Sequence, residues 1–212
     1  MELLRELSES LQKGDAGRVA SLTQRAIDTN LDTKTILDSG LIAGMSVVGE
    51  RFKRHEIFLP HVLLAAKAMY AGMDILKPLL VKEGIRTVGK VVIGTVQGDL
   101  HDIGKNLVAI MLKGAGFEVI DLGNNVSPER FIETAEKEKA DVIGMSALLT
   151  TTMPVMKTVV ELARERNIYG RVRIIVGGAP LSSEYAREIG ADAYCFDAVS
   201  AVDEVKKFVG RA

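Results

Sequence analysis

The sequence predicts an α/β chain in two parts. A helical N-terminal half of four helices fills residues 1–86, and an open, doubly wound parallel sheet of five strands fills residues 87–212. Three observations predict it. Residues 1–86 carry helical hydrophobic periodicity and only two short turn signals, Lys13-Gly14-Asp15 and Phe58-Leu59-Pro60. From residue 89 onward, short β-branched runs alternate with amphipathic stretches, the rhythm of strands and helices in turn. The strongest of these runs, VVIG (91–94), DVIGMS (141–146) and RIIVGG (173–178), are short and β-branched, and strands alternating with helices imply a parallel sheet covered on both faces.

The elements follow in order. Asp15 can cap a helix over 16–28, and Asp32 one over 33–53. Within the latter, Ile36, Leu37, Leu41, Ile42, Met45 and Val48 recur at spacings near three and four and form one apolar face. Pro60 fits the first turn of a helix over 60–80. Residues 81–90, VKEGIRTVGK, read as a linker with Gly84 and Gly89 as its hinge. Strands follow at 91–94, 117–123, 141–146, 173–178 and 191–196. Helices fall between and after them at 104–115, 128–139, 152–166, 182–189 and 199–209. Ser127 before Pro128 marks the start of the second. Five such strands suggest a flavodoxin-like (Rossmann-like) domain.

Composition narrows the function classes. The 212 residues, 47% hydrophobic, suffice for one large core or two small ones. A net charge of −1 without a basic block gives nucleic-acid binding little support. No apolar run approaches the roughly 20 residues of a membrane helix. The N-terminus MELLRELSES lacks an apolar signal core, so a cytoplasmic protein is expected. The lone Cys195 cannot form an intramolecular disulfide, and AYCFD reads as a buried strand.

In such a sheet, ligands sit beyond the carboxyl ends of the strands, near the topological switch point. Three loops reach that edge: QGDLHDIG (97–104), SALLTTT (146–152) and GGAP (177–180). They bring one imidazole, carboxylates, hydroxyls and glycines that admit close backbone approach. No loop reads as G-x-G-x-x-G or a Walker lysine loop, so a nucleotide is weakly supported. A zinc site lacks a second histidine in this half. A serine hydrolase would need G-x-S-x-G, which does not occur. A phospho-receiver would need an aspartate where Ser146 ends the third strand. What survives is His101 with Asp99 two residues before it. The aspartate can orient one ring nitrogen so that the other meets a metal. One protein ligand suits a metal already held equatorially by a macrocycle.

At Asp99-Leu100-His101-Asp102-Ile103-Gly104, Ser146-Ala147-Leu148 and Gly177-Gly178 the chain resembles cobalamin-binding domains, with their Asp-x-His-x-x-Gly, Ser-x-Leu and Gly-Gly signature. The N-terminal half is similar to the helical cap that precedes this domain in methionine synthase and in the small corrinoid proteins of methyltransferase systems. The resemblance spans essentially the whole chain. It implies that His101 replaces the cofactor's own base as lower axial cobalt ligand, and that Asp99 bonds the other ring nitrogen. Thr152 would continue this relay, with a threonine where methionine synthase has serine. Ser146, Leu148, Gly177 and Gly178 would line the slot for the displaced nucleotide tail, and Gly104 would open it. Gly98, Asp102, Ile103 and Thr150 belong to the same cofactor-binding loops, and Phe52, Leu59 and Val62 match positions covering the upper face of the corrin.

Each residue also has a plainer reading. Asp99 or, better, Asp102 could cap the following helix. Thr150 and its neighbours could cap the helix over 152–166. Phe52, Leu59 and Val62 could be core, and His55 and His61 surface residues.

The resemblance implies a methyl carrier, holding cobalamin or a related corrinoid base-off/His-on and cycling between Co(I) and methyl-Co(III). Its partners would be a substrate-specific methyltransferase, an acceptor methyltransferase using coenzyme M or tetrahydrofolate, and a reductive activase. No room remains for a substrate barrel, so substrate sites are expected on those other chains. Two alternatives stand beside it. A radical-mutase subunit shares the histidine motif but normally lacks the helical cap. A cobalamin-based sensor would need a DNA-binding region and an upper-face tryptophan, and this chain has no tryptophan.

Overall fold

The computed structural model describes residues 2–84 and 87–210. These form two compact units. One holds the N-terminal helices together with Gly114–Gly116, and the other the remainder from Thr87 onward.

The first unit is built from amphipathic helices. α1 (Glu2–Gln12) buries Leu4, Leu7 and Leu11, and α2 (Ala16–Asp28) buries Val19, Leu22 and Ala26. The Asp15 carboxylate caps α2 by accepting from the Arg18 N–H at 2.9 Å. Asp32 caps α3 (Thr33–Thr35) by accepting from the Thr35 N–H at 2.8 Å. The helical run expected over 33–53 is continuous but changes register. α3 passes into a π-helical segment, Ile36–Ile42, and then into α4 (Ala43–Lys53). Hydrophobic spacing reports which face is buried, not which carbonyl each N–H reaches, so it could not reveal this wider turn. Gly40, within the π segment, lets Leu7 pack close: a Cβ there would lie 2.6 Å from Leu7 Cδ2.

α5 (Leu59–Lys82) starts with Pro60 in its first turn, where a missing N–H costs nothing. It runs past Pro78 to Lys82, so the linker is shorter than expected. Lys90 already opens the first strand, and the Gly89 carbonyl accepts from the Glu118 N–H at 2.9 Å. Gly89 therefore belongs to the sheet rather than to a hinge. Gly84, with φ +66 and no neighbour that a Cβ would meet, keeps the freedom a hinge needs. Residues 85 and 86 of the expected linker lie outside the described residues.

The second unit alternates strands and helices as predicted: β1 (Lys90–Thr95), α6 (Ile103–Gly114), β2 (Glu118–Asp121), α7 (Pro128–Glu138), β3 (Val142–Ser146), α8 (Pro154–Glu165), β4 (Arg173–Gly177), α9 (Ser183–Ile189), β5 (Ala193–Cys195) and α10 (Ala198–Phe208). Ser127, Ser182 and Asp197 cap α7, α9 and α10 through their side chains. All strands are parallel, in the order β2-β1-β3-β4-β5. The core between sheet and helices includes Val92, Ile143 and Ile174 with Phe131 and Met156, all fully buried. The chain leaves β1 toward β2 on one side and reaches β3 on the other, so the switch point lies between β1 and β3. Thr95 pairs with Ser146, and Ser146 with Gly177, so three strands end level and their loops emerge together. No helix among the described residues is long and apolar enough to cross a membrane.

Candidate functional site

The loop after β1 is shaped by its own backbone. Gly98 takes φ +85, and the Thr95 hydroxyl donates to the His101 carbonyl at 2.9 Å. This folds Asp99 inward, to 0% exposure, and leaves the His101 side chain 52% exposed.

Asp99 is the hub. Its Oδ1 accepts from the His101 N–H at 3.0 Å and pairs with His101 Nδ1 at 2.7 Å. Its Oδ2 accepts from the Leu148 N–H at 2.7 Å, the Leu149 N–H at 3.2 Å and the Thr152 hydroxyl at 3.1 Å. The Thr152 hydroxyl also lies 2.8 Å from the Leu149 carbonyl, so its single proton has two acceptors to choose between. Burial pushes the Asp99 carboxyl up, but the Leu148 and His101 N–H groups, the His101 ring and the Leu149 N–H outweigh it. The group is held well below the usual Asp range. An ionised Asp99 can only accept, so Nδ1 is the donor of this contact and Nε2 is the ring nitrogen turned away from it.

Beside His101 lies a cavity of about 760 Å³, the size of a site for a sizeable organic ligand. Its inner wall is apolar, with Ile93, Gly144 and Ile175 from the sheet and Val108 from α6. Ser146, Gly177 and Gly178 line the same cavity. Gly178 is irreplaceable on steric grounds: at φ +137, a Cβ would lie 1.8 Å from the Ala147 carbonyl oxygen. A Cβ on Gly104 would meet nothing within 4 Å. Around the opening, Leu100, Ile103 and Phe196 are 69%, 74% and 82% exposed, large apolar side chains offered to a ligand rather than to the core.

The expected site residues separate accordingly. His101, Asp102, Ile103, Gly104, Ser146, Leu148, Gly177 and Gly178 line the cavity. Asp99 and Thr152 lie buried behind His101, and a Cβ on Gly98 would touch Thr152 Cγ2 at 3.3 Å. Thr150 is exposed and does not line the cavity. It does not start α8 either, because that helix begins at Pro154, after a turn, rather than at 152. Asp102 meets α6 through its carbonyl, which accepts from the Asn106 N–H at 2.8 Å, and not through a side-chain cap. In the helical unit Val62 is fully buried, whereas Phe52 and Leu59 are half-buried. Both His55 and His61 are exposed.

Sequence reasoning missed Ile93, Val108, Gly144, Ile175, Tyr194 and Phe196. Gly144 had a signal, since a glycine inside an apolar strand marks close approach. Cys195 lines the cavity but is chemically quiet, because burial, then the Glu204 and Asp197 carboxylates, push its thiol up to about 12.

This donor set can be tested against a metal. Among the described residues no group of three or more His, Cys, Asp or Glu could hold one. A single oriented imidazole beside an apolar-rimmed slot fits a metal whose remaining ligands come from a flat organic ring, with a tail for the slot. Fold and site thus have the arrangement that the resemblance to cobalamin-binding modules implies.

Similarity to known proteins agrees. Residues 89–206 match the B12 binding domain family, and residues 3–77 match a second family described in the same words. The chain is 44% identical over 214 residues to a corrinoid protein of Desulfitobacterium hafniense, covering 100% of this chain and 99% of the relative. It is 44% identical over 210 residues to the dimethylamine corrinoid protein of Methanosarcina barkeri, covering 98% of each. Among solved structures, the methanol:cobalamin methyltransferase complex MtaBC of Methanosarcina barkeri superposes with TM-score 0.90 at 30% identity, over 100% of this chain and 81% of that one. The chain belongs to the B12-binding corrinoid protein family, and its cofactor is cobalamin or a related corrinoid.

Proposed function

We propose that this protein is a methyl carrier that binds its corrinoid base-off/His-on, with His101 as the lower axial ligand. The observation that carries this reading is the 2.7 Å contact between His101 Nδ1 and a fully buried Asp99 whose other oxygen is held by three donors. When bound, the corrinoid supplies a cobalt centre that accepts a methyl group in its reduced state and gives it up again. The protein's residues do the rest. Asp99 orients the ring and makes Nε2 the more basic donor. Thr152 can turn its hydroxyl between Asp99 and the Leu149 carbonyl, and so adjust how much of the Asp99 carboxylate is left to the His101 ring. The cavity takes the displaced nucleotide tail, with Gly144 and Gly178 making room. Phe52, Leu59 and Val62 of the helical unit are the residues that would shield the reactive face.

In this reading a substrate-specific methyltransferase loads the carrier and an acceptor methyltransferase, using coenzyme M or tetrahydrofolate, unloads it. A reductive activase rescues oxidised cofactor. All act in the cytoplasm. Methylated amines are the favoured donors, because the relative named for dimethylamine is 44% identical and the methanol complex 30%.

The test is reconstitution with cobalamin under anaerobic conditions, followed by EPR of the Co(II) form. Nitrogen superhyperfine splitting from histidine is expected, and His101→Gly should abolish it. Wild-type protein without that splitting, or a His101→Gly variant that keeps it, overturns the reading. Transfer from methylcobalamin but not from adenosylcobalamin separates a carrier from a radical-mutase subunit.

A further inference from the structure

The Asp99 carboxylate is gripped from the β3 side of β1. The same residue's backbone is gripped from the β2 side. The Asn125 N–H donates to the Asp99 carbonyl at 3.0 Å, and Asn125 Oδ1 accepts from the Gly98 N–H at 2.8 Å. One side chain and its own backbone thus bracket the Gly98–Asp99 segment, two residues before His101. Asn124 Nδ2 adds a longer contact to the Leu100 carbonyl, 3.4 Å.

The Asn125 loop is itself anchored. The Thr95 N–H donates to the Gly123 carbonyl and the Val126 N–H to the Thr95 carbonyl, both at 3.0 Å. The Gly123 N–H donates to Asp121 Oδ1 at 2.9 Å, and Asp121 pairs with the buried Lys105 Nζ at 2.7 Å. Lys105 also donates to Asn106 Oδ1 at 2.6 Å. The span from Gly98 to Lys105 is therefore held at one end by Asn125 of the β2–α7 connection and at the other by Asp121, the last residue of β2, with His101 near its middle. Asn125 adopts φ +52, a conformation that asparagine tolerates better than most residues. The position therefore joins a backbone need with a side-chain acceptor.

We propose that Asn125 is a positioning residue for His101: with the Asp99 carboxylate held from β3, it fixes the Asp99 backbone from β2 and so sets how readily the imidazole sits at its axial position. This rests on His101 being the axial ligand. Gly98 is exposed, so its N–H can turn to water when Asn125 is lost, and little stability goes with it. What changes is the preference of the loop for the coordinating geometry.

The experiment uses the full chain with cobalamin. Asn125→Gly keeps the left-handed backbone and the N–H to Asp99 but removes the acceptor for Gly98, whereas Asn125→Asp keeps an acceptor oxygen there. In Co(II) EPR the ratio of histidine-on to histidine-off cobalamin should fall about two- to tenfold in Asn125→Gly, the worth of one neutral hydrogen bond. It should return to near wild type in Asn125→Asp, with melting temperatures nearly unchanged. A folded Asn125→Gly that retains no cobalamin, beside an Asn125→Asp that does, supports the proposal too. Wild-type splitting with an unchanged ratio in Asn125→Gly overturns it alone, as does equal loss in both variants. Absence of histidine splitting in the wild type overturns instead the axial-ligand reading on which it rests.

Discussion

The two units bury polarity in opposite ways. Among the described residues of the helical unit the buried polar ones are Ser10, Thr23 and Thr33, none of them charged. Thr23 is fully buried, and its hydroxyl has no hydrogen-bond partner among the described residues. In the α/β unit the buried polar residues include Asp99 and Lys105, the two buried charged residues among those described. Both are met by several partners, Asp99 by five donor contacts and Lys105 by Asp121 and Asn106. A buried charge survives folding only when such partners replace water. The helical unit is therefore organised by packing, with a polar defect tolerated. The α/β unit gathers its polarity where a ligand must be oriented.

Three substitutions probe that contrast, in order of expected effect. Gly178→Ala should be the most damaging, because it adds a steric clash to an unfavourable φ of +137. The expected loss is about 3 kcal/mol or more in urea unfolding of the full chain. A loss below about 1 kcal/mol would mean that the loop after β4 relaxes freely.

Asp99→Ala should cost about 3 kcal/mol at neutral pH, since it leaves several inward-facing donors without an acceptor. The pH dependence has a definite sign. The Asp99 carboxyl is held below its ordinary 3.8 in the folded protein, so its contribution is complete above that value. It is lost as pH falls further, through the folded value. The gap between wild type and Asp99→Ala should be equal at about pH 7 and pH 5 and narrower near pH 3. A gap that already shrinks between pH 7 and pH 5 would show that Asp99 is not the low-titrating group.

Thr23→Val should have the smallest effect and the opposite sign. Replacing an unpartnered buried hydroxyl by a methyl of similar shape should stabilise the chain by about 1 kcal/mol. A destabilised Thr23→Val would mean that the hydroxyl has a partner after all, and the contrast between the units would weaken.

Much of the fold was legible. Asp15, Asp32, Ser127 and Pro60 marked helix starts because capping is local chemistry. The β-branched runs marked β1, β3 and β4, the weaker runs FEVIDLG and ADAYCF marked β2 and β5, and the Asp-x-His-x-x-Gly, Ser-x-Leu and Gly-Gly segments marked the loops that line the cavity. Legibility failed where local pattern underdetermines geometry. The π-helical register of Ile36–Ile42 leaves the buried face almost unchanged, so periodicity did not reveal it. The helix expected over 60–80 continues to Lys82, because apolar spacing does not fix where its last turn ends, and this shortens the linker. Thr150 and Thr152 read alike in one run of threonines, yet the turn before α8 exposes the first and buries the second.

Local spacing and side-chain chemistry determined the elements, their order, the pairing of Asp99 with His101 two residues away, and the class of ligand that pair suits. Only the tertiary structure decided which further groups complete the pair: the Leu148 and Leu149 N–H groups beside the expected Thr152 on one side of β1, and Asn125 on the other. The physical reason is strand order. A parallel sheet places β2 and β3 on either side of β1, so partners 26 to 53 residues along the chain meet at one edge without leaving a mark in the residues between.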